Sequence, residues 1–476
     1  MASNITLRLF TNGGIITPEE VRKVIEIARM CGCDSIIPGS RQEVYLQLEK
    51  VYLPIAEKEL SKNALKYTLV EDSKQNIVTS FAALQILPTT AWLLGDTYLD
   101  ILDSFVYQPR LKINIVDPLQ NLVPLFTGEL NFIASSYPRY WHLYVNFSFF
   151  GKRQIWPVLI DGEDIVTVSK LIEEVYFQQQ LDTIQDLYLA VSHTFTGRTR
   201  QWEEELQLTA HSFPVIEGMY SYGNSYWLGI YRRNQSFPLS FLEALYNQCI
   251  ESKIGKICLT PHQTLLITDI KAEHKAKWEK LLGLHQIHNH HSALEVNWQI
   301  PDLEVEAQRL KNTWVRELEE KEVYTTGLSF AIQTKPMDVT TSVLIRQTSE
   351  AGQTRYDILH THDFSTHSLQ WQVFATNLSE QVVASVLINL CQLYYTQVDQ
   401  HFPSIFSEEK PVFIATHDVY QCSDCLTVYD PEFGDEAAAI PASTAFEELP
   451  DSYVCSLCEA SKQRFVALKK EEAVTR

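Results

Sequence analysis

The sequence YQCSDCLTVYDPEFGD at residues 420–435, followed by TAFEELPDSYVCSLC at residues 444–458, carries two C-x-x-C pairs. The first pair is Cys422 with Cys425, and the second is Cys455 with Cys458. Each C-x-x-C turn directs two thiolates toward one point, so two facing turns supply four sulfurs at the corners of a tetrahedron. The pattern therefore predicts a site for a single iron or zinc ion, and the ligands alone do not choose between these metals.

The residues between the two pairs point to one class of four-sulfur site. Zinc ribbons usually place their pairs about 15–20 residues apart, whereas residues 426–454 intervene here. The segment closely resembles rubredoxin along its whole length, through the motifs Tyr429-Asp430-Pro431, Gly434-Asp435 and Thr444-x-Phe446-Glu447-x-Leu449-Pro450-Asp451. The resemblance implies an aromatic core of Tyr429, Phe446 and Tyr453. It also implies one iron ion (Fe2+/Fe3+) that transfers single electrons and is bound by Cys422, Cys425, Cys455 and Cys458.

The segment departs from the rubredoxin pattern directly after each cysteine pair. Rubredoxins usually have glycine at these two positions, where the backbone turns with a positive φ. Here the residues are Leu426 and Glu459. A side chain at a positive φ is strained, so we expect either strain or a different turn at both positions.

Composition limits the classes of function that fit the chain. The 476 residues are 45% hydrophobic and 11% aromatic, which is typical of a folded protein with several domains. The net charge of −20 argues against nucleic acid or an anionic membrane as a partner. A redox partner protein with a basic docking surface, or simple solubility, fits this charge better. The most apolar stretch, residues 382–395, contains interrupting polar residues and predicts a buried helix, not a membrane span.

The remaining cysteines indicate a reducing compartment. They are odd in number and scattered through the chain, at Cys31, Cys33, Cys249, Cys258 and Cys391. This pattern is typical of free thiols, not of a disulfide framework. The opening residues lack the basic-then-apolar pattern of a signal peptide. We therefore expect a cytoplasmic protein.

A strand–helix–strand–strand unit occurs twice, about 221 residues apart. In the first copy a strand at residues 5–10 precedes a helix whose start is marked by Thr17-Pro18-x-Glu20, and strands follow at residues 35–37 and 44–48. In the second copy the corresponding elements are expected at residues 227–231, 237–250, 257–259 and 265–268. The turns before the last strands align so that Gln42 corresponds to Gln263. The coincidence favours an internal duplication.

This doubled unit resembles the ferredoxin-like half-repeats of sirohaem nitrite and sulfite reductases. The family pattern Thr-x-Arg-Gln is matched in part by Gly39-Ser40-Arg41-Gln42 and by Thr260-Pro261-His262-Gln263. The family's Pro-Arg-Lys-x-Lys strand is matched by Pro109-Arg110-Leu111-Lys112. The resemblance covers most of residues 4–300 and implies that Arg41, and one of Arg110 or Lys112, are candidates for holding an anion. The competing interpretation is that these residues are ordinary surface cations, which need no ligand.

The chain departs from these reductases where they carry the cysteines of a 4Fe–4S cluster. Between residues 300 and 414 Cys391 is the only cysteine, and a cluster needs about four thiolates. We therefore expect no 4Fe–4S cluster, and the sequence argues against sirohaem. Two histidine-rich stretches, His285 to His291 and His360 to His367, are weak candidates for a metal site because no carboxylate spacing completes a known ligand set.

The sequence thus predicts an α+β protein: a pseudo-duplicated, nitrite/sulfite reductase-like body with a small C-terminal rubredoxin-like iron domain. The expected divisions are half-repeat 1 (1–65), α/β lobe 1 (66–215), half-repeat 2 (216–297), a degenerate α/β lobe 2 (298–400), a linker (401–418) and the rubredoxin domain (419–470).

The expected function is one-electron transfer through an Fe(Cys)4 centre, in support of a reductase such as assimilatory nitrite or sulfite reductase. We expect an electron carrier more than a self-sufficient oxidoreductase, with no catalytic residue assigned. Two alternatives stay open. In the first, the body is a sirohaem- or tetrapyrrole-binding reductase subunit that receives electrons from its own rubredoxin domain. In the second, the chain is a non-redox assembly factor that holds zinc.

Overall fold

The computed structural model describes residues 4–474 except 180, 207, 209–212, 288–294, 351, 367–369, 402–412 and 436. The chain forms two compact units, Met1–Tyr394 and Tyr395–Arg476. We call them the body and the C-terminal unit, and each is described by itself.

Among the described residues the α-helices belong to the body, except that the last one continues past its boundary. They are α1 (Pro18–Met30), α2 (Leu53–Lys62), α3 (Gly95–Asp103), α4 (Ile165–Gln178), α5 (Ile184–Ser192), α6 (Leu239–Ser252), α7 (Lys275–Leu284), α8 (Val305–Glu320) and α9 (Glu380–His401). Helix α9 covers the stretch predicted as a helix from its apolar residues. Among the described residues, no helix combines the length and the apolar character needed to cross a membrane.

Two five-stranded sheets belong to the duplicated half-repeats. In spatial order the first contains β15 (Phe237–Pro238), β3 (Ser35–Pro38), β4 (Val44–Glu49), β1 (Asn4–Leu9) and β5 (Tyr67–Leu69). The second contains β13 (Gly218–Tyr222), β14 (Ser225–Ile230), β17 (Leu265–Lys271), β16 (Ile257–Leu259) and β2 (Ile15–Ile16). The strands predicted in both copies are therefore present, with ends shifted by a few residues.

The two half-repeats exchange a short strand with each other. Strand β2, from the first copy, pairs with β16 of the second, with Ile16 opposite Ile257. Strand β15, from the second copy, pairs with β3 of the first, with Phe237 opposite Ile36. Each exchanged strand directly precedes the main helix of its own copy. This reciprocal pairing joins the copies as a pseudo-symmetric pair.

Helix α1 begins where its sequence signature predicts. The Thr17 side chain accepts a hydrogen bond from the Glu20 backbone N–H while the Glu20 carboxylate accepts one from the Thr17 N–H, which forms a capping box. The apolar face of α1 contains Val21, Val24 and Ala28, and it shares one buried core with the corresponding face of α6. The two half-repeats are therefore held together by helix packing as well as by strand exchange.

Each half-repeat is followed by a larger lobe with a mixed sheet. The first lobe contains β12 (Thr199–Arg200), β11 (Leu159–Asp161), β9 (Tyr140–Val145), β8 (Leu130–Ala134), β7 (Ile113–Val116) and β6 (Val78–Thr79), with β10 (Gln154–Ile155) paired to β9. The second contains β18 (Trp298–Gln299), β19 (Phe330–Gln333), β20 (Val343–Glu350), β21 (Gln353–Thr361) and β22 (Trp371–Leu378).

The two lobes share the same order of strand directions. In the first lobe β6, β7 and β8 are parallel and β9 and β11 follow antiparallel. In the second lobe β18, β19 and β20 are parallel and β21 and β22 follow antiparallel. The duplication therefore extends from the half-repeats into the lobes, and the second lobe keeps its sheet although it lacks the cysteine pairs.

The C-terminal unit is built on a three-stranded antiparallel sheet. Its strands are β24 (Val428–Tyr429), β23 (Phe413–Cys422) and β25 (Phe465–Val474), with β23 in the middle. Strand β23 pairs with β25 along its whole length, from Phe413 opposite Val474 to Cys422 opposite Phe465.

These bounds differ from the sequence expectation. The expected linker at 401–418 contains the first half of β23, and β25 runs past the expected domain end at 470. Strands β23 and β25 pair across about 50 positions, and such pairing leaves no signal in the local sequence. The sequence therefore did not predict that the unit extends at both ends. Linker residues 402–412 lie outside the described residues.

Candidate metal centre

Two short turns of the C-terminal unit present the four cysteine sulfurs. In the first turn the Cys422 N–H donates to the Thr427 carbonyl at 2.8 Å, and the Leu426 N–H donates to the Cys422 carbonyl at 2.9 Å. In the second turn the equivalent hydrogen bonds join Cys455 to Ala460 and Glu459 to Cys455, both at 2.8 Å. The two C-x-x-C turns therefore have the same backbone geometry although their sequences differ.

The four sulfur atoms converge as the spacing predicts. All of them lie within 4.8 Å of one another. The Sγ atoms of Cys422 and Cys458 are 3.6 Å apart, and those of Cys425 and Cys455 are 3.5 Å apart. Four sulfurs at such separations surround a position from which one ion can contact all of them. This is the one such group of cysteine, histidine and carboxylate ligands among the described residues.

The centre is asymmetric in its exposure. Cys422 and Cys455 are buried, whereas Cys425 is half-buried and Cys458 is exposed. The Thr427 hydroxyl lies 3.2 Å from the Cys425 sulfur, and this hydrogen bond lowers the pKa of Cys425 to about 6. A lowered thiol pKa favours the thiolate form that binds metals. One edge of the centre thus reaches the surface.

Both residues that replace the usual glycines adopt a positive φ. The values are 64° at Leu426 and 59° at Glu459. The turn is therefore retained, and the expected strain is present at both positions. A residue with a Cβ in this region costs about 1–2 kcal/mol relative to the right-handed region. The Leu426 side chain is exposed, so the substitution also adds an apolar group to the surface.

An aromatic cluster packs behind the sulfurs. Tyr429, Phe446 and Tyr453 are buried together with Leu449, as the resemblance implied. The ring of Tyr420 stacks on Phe446 with centroids 3.9 Å apart. The buried hydroxyl groups are satisfied, because Tyr429 donates to the Thr444 carbonyl and Tyr453 donates to Asp435, both at 2.7 Å. The cluster fixes the two turns and limits access of water to the centre.

The segment from Asp418 to Glu459 contains acidic residues and neither lysine nor arginine. Two cations that follow it in the sequence contact this segment. The Arg464 guanidinium pairs with Asp424 and lowers the pKa of that carboxyl group, while the Lys462 Nζ donates to the Leu449 carbonyl at 2.6 Å. The sequence analysis missed both contacts, because the cations lie outside the acidic segment.

Residues 419–465 match the family model described as Rubredoxin. The chain belongs to the rubredoxin family through this domain. The domain is 45% identical over 49 residues to Rubredoxin-2 of Chlorobaculum tepidum, which covers 10% of this chain and 94% of the relative. It is 41% identical over 56 residues to Rubredoxin-2 of Desulfovibrio desulfuricans, which covers 11% of this chain and 90% of the relative.

The fold of the body resembles a second kind of protein. The chain superimposes on the solved structure of Mycobacterium tuberculosis NirA protein with a TM-score of 0.66 and 14% sequence identity. The superposition covers 82% of this chain and 80% of NirA. At this identity the likeness shows the fold alone. The expected fold class, a nitrite/sulfite reductase-like body with a C-terminal rubredoxin domain, is confirmed.

The cations that the body resemblance nominated all have partners within the body. Arg41 donates to the backbone carbonyls of Asn76 and Ile113 at 3.0 and 3.1 Å. The Arg110 guanidinium lies 3.6 Å from the centre of the Phe177 ring, and the Lys112 Nζ lies 2.6 Å from a carboxylate oxygen of Asp338. Each of these side chains therefore has an internal contact, although the Nε of Arg41 is buried without a hydrogen-bond partner.

Arg41 and Lys112 line a cleft of the body that also contains two buried carboxyl groups, Glu43 and Asp302, which sequence analysis did not identify. The Tyr45 hydroxyl is 2.6 Å from Glu43 and 3.2 Å from Asp302. Asp302 also accepts hydrogen bonds from the Ser40 N–H, the Ser40 hydroxyl and the Gln263 amide. Burial raises the pKa of both carboxyl groups. The carboxyl group of Asp302 thus serves as an internal hydrogen-bond partner for the turn that contains Ser40 and Arg41.

The histidine-rich stretches bring no metal ligands together among the described residues. The ring of His360 stacks on Phe364 at 4.8 Å, and its Nδ1 lies 2.9 Å from the Thr361 carbonyl. His285 packs against Phe241. His288, His290, His291 and His367 lie outside the described residues.

Proposed function

We propose that the C-terminal domain transfers single electrons through one iron ion bound by Cys422, Cys425, Cys455 and Cys458. The observation that carries this proposal is the convergence of the four sulfurs within 4.8 Å on two matching turns. The rubredoxin match over residues 419–465 supports iron as the metal. Bound iron would supply a one-electron couple, and the residues around it would control its environment.

The surroundings of the sulfurs are suited to this task. The turns are fixed by backbone hydrogen bonds and by the aromatic cluster, so the four ligands keep one arrangement. A rigid ligand set lowers the reorganisation that accompanies gain or loss of an electron. The exposed edge at Cys458 gives an electron a short route to the surface.

We propose that the body serves as a scaffold or docking platform for a reductase, such as an assimilatory nitrite or sulfite reductase. The NirA-like fold supports a role in the same reaction system. The body cysteines at positions 31, 33, 249, 258 and 391 are all buried and unpaired, which is consistent with a reducing cytoplasm. The acidic segment around the centre fits a partner with a basic docking surface.

Stopped-flow electron transfer tests this proposal. The iron-loaded, reduced chain is mixed with cytochrome c, a basic one-electron acceptor, and separately with anionic ferricyanide. Attraction between opposite charges predicts that the rate with cytochrome c falls as salt is added, while the rate with ferricyanide rises or stays constant. A chain that contains iron but reduces neither acceptor would contradict the proposal.

Charge variants locate the docking face. The double variant Asp451→Asn, Glu459→Gln removes two exposed charges near the centre, and Glu71→Gln with Glu350→Gln removes two exposed charges from the body. The first pair should slow reduction of cytochrome c several-fold at low salt, and the second pair should leave it unchanged. Equal effects of the two pairs would show that net charge alone controls the rate.

A second candidate function follows from the NirA-like fold, namely a tetrapyrrole-binding reductase whose rubredoxin domain supplies its electrons. The cysteines of the body do not supply the set of ligands that a 4Fe–4S cluster needs beside a tetrapyrrole. Cys391 is the one thiol of the second lobe, and burial raises its pKa to about 12. The cleft cation Lys112 is paired with Asp338, and Asp302 fills the turn that contains Arg41. A Soret band in protein produced with sirohaem available would favour this candidate.

A further inference from the structure

A second region of the body holds positive charge that nothing within the described chain neutralises. A cavity of about 440 Å³ lies between the first and second lobes. Three cationic side chains line it, Lys152, Arg153 and Arg346. Among its described lining residues Asp338 is the one carboxylate, and it is already paired with Lys112 at 2.6 Å. This excess of positive charge occurs in a chain whose net charge is −20.

Arg153 is the cation with the most restricted surroundings. Its guanidinium lies 3.4 Å from the centre of the Phe126 ring, and its Nε is buried without a hydrogen-bond partner. No ion pair connects Arg153 to any carboxylate in the part of the chain that the structure describes. Burial lowers the pKa of its guanidinium to about 10. The side chain is thus held in place by an aromatic ring and is not neutralised.

The rest of the cavity combines an apolar wall with neutral polar groups. Leu344 and Trp371 contribute apolar surface from the second lobe, and Phe126 contributes it from the first. His262 lies at the cavity with its Nε2 at 3.1 Å from the Leu122 carbonyl, and burial lowers its pKa to about 4. It is therefore neutral at pH 7. The volume of the cavity lies in the range of pockets that bind small organic ligands.

A partly desolvated arginine without a counter-charge destabilises the folded state unless a ligand supplies one. Arginine forms its strongest hydrogen bonds with planar oxyanions, which it contacts with two N–H groups at once. Aromatic and aliphatic walls favour a flat apolar group next to that anion. The cavity therefore combines a cation for an acid group with an apolar wall for a ring, as a site for an amphipathic acid requires.

We propose that this cavity binds a small planar organic anion, with its carboxylate or sulfonate group on Arg153 and its ring against the wall formed by Leu344 and Trp371. The site differs from the sulfur centre in residues and in chemistry, and it does not depend on the electron-transfer proposal. It gives the body a ligand-binding function of its own.

The test uses the full iron-loaded chain and isothermal titration with 2-naphthoate. Its neutral isostere 2-naphthalenemethanol and its cationic analogue 2-naphthylmethylamine are the comparison ligands. We expect 2-naphthoate to bind with a stoichiometry of one and to raise the unfolding temperature of the body. The neutral and cationic analogues should bind at least about tenfold more weakly, because they lack the charge that pairs with Arg153.

Variants at Arg153 separate binding from folding. Arg153→Met keeps the apolar stem on Phe126, and it should abolish the naphthoate-dependent shift while the unliganded protein unfolds at the same or a higher temperature. Arg153→Lys keeps the charge and should retain part of the affinity. Arg316, exposed on α8, provides the control, and Arg316→Met should bind naphthoate as the native chain does.

Three results would overturn the proposal. The first is equal binding of the anion and its neutral isostere by the native chain, which requires no variant at all. The second is unchanged naphthoate binding by Arg153→Met. The third is a lowered unfolding temperature of unliganded Arg153→Met, which would show that Arg153 serves the fold and not a ligand.

Discussion

The sulfur centre of the C-terminal unit and the cleft around Asp302 in the body arrange their polar groups in opposite ways. In the centre, four sulfurs face one another at 3.5–4.8 Å, and only an added cation satisfies them all. In the cleft, Lys112 is paired with Asp338, and Asp302 accepts hydrogen bonds from Ser40, Tyr45 and Gln263. The cleft thus supplies internal partners for Lys112 and Asp302, while the Nε of Arg41 and one carboxylate oxygen of Glu43 are buried without a hydrogen-bond partner. The fold by itself does not identify a cofactor, because the ligand atoms present in a site determine what it binds.

The largest difference between the two regions should appear when a cysteine is removed. Cys422→Ser takes away a buried sulfur ligand, and we expect loss of the bound iron and unfolding of the rubredoxin domain. Metal binding to a small four-ligand site contributes on the order of 10 kcal/mol to folding. Iron content per chain, measured by plasma emission, checks this expectation.

The matched control is Cys391→Ala, which removes a buried thiol from the body. It should leave the iron content unchanged. Loss of iron from this variant would show that the two units depend on each other for metal binding.

Acid should destabilise the body through His142, and His262, whose pKa burial also lowers to about 4, should add to this effect. The His142 side chain is buried on β9, and burial lowers its pKa from 6.5 to about 4. Because the unfolded chain binds the proton more tightly, the stability from neutral His142 is complete above pH 6.5. It is lost as the pH falls toward 4, by about 3 kcal/mol in all. Urea unfolding between pH 7 and 4 measures this loss.

The variant His142→Phe keeps the ring among its aromatic neighbours and removes the titrating group. Its stability should fall less between pH 7 and 4 than that of the native chain. Identical pH profiles would rule out His142 as the cause.

The two copies of the half-repeat turn should differ in their contribution to stability. The Gln42 side chain donates to the carbonyls of Thr79 and Leu259 and accepts from the Thr79 N–H, so it joins the first lobe to both half-repeats. Gln42→Ala leaves these buried groups without partners and should cost about 2–3 kcal/mol.

The equivalent Gln263 donates one side-chain hydrogen bond, to Asp302 at 3.0 Å. Gln263→Ala should therefore cost about 1 kcal/mol. Thermal unfolding of both variants gives the comparison, and equal losses would show that the copies are energetically equivalent.

The smallest expected effect is a gain of stability at the sulfur turns. Leu426→Gly and Glu459→Gly each replace a side chain at a positive φ, so each should stabilise the rubredoxin domain by about 0.5–1 kcal/mol. Val428→Gly, at an exposed strand position, should instead destabilise it. The temperature at which the visible iron absorption disappears measures all three, and no gain in either turn variant would refute strain at these positions.

The range of the interactions explains what the sequence could predict. The capping box of α1, the main strands of the half-repeats and the two C-x-x-C turns each depend on residues close together in the chain, and the structure contains each of them. The sequence could not predict the exchange of β2 and β15, because these strands pair with residues about 200 positions away. Two short apolar strands carry no signal for their partner.

The cleft and the cavity could not be predicted for the same reason. Tyr45 lies between Glu43 and Asp302, and Arg153 lines a cavity with Trp371, so residues from distant parts of the chain are brought together. The sequence nominated Arg41, Arg110 and Lys112 by family resemblance, and the structure shows internal partners for all three. The unpaired Arg153 had no motif to single it out.

The most direct test of the central claim is a visible absorption spectrum of the purified full chain, recorded oxidised and then reduced with dithionite, together with its metal content. The account predicts one iron per chain and thiolate-to-iron bands that bleach on reduction. A colourless protein that contains zinc after production with iron available would contradict it.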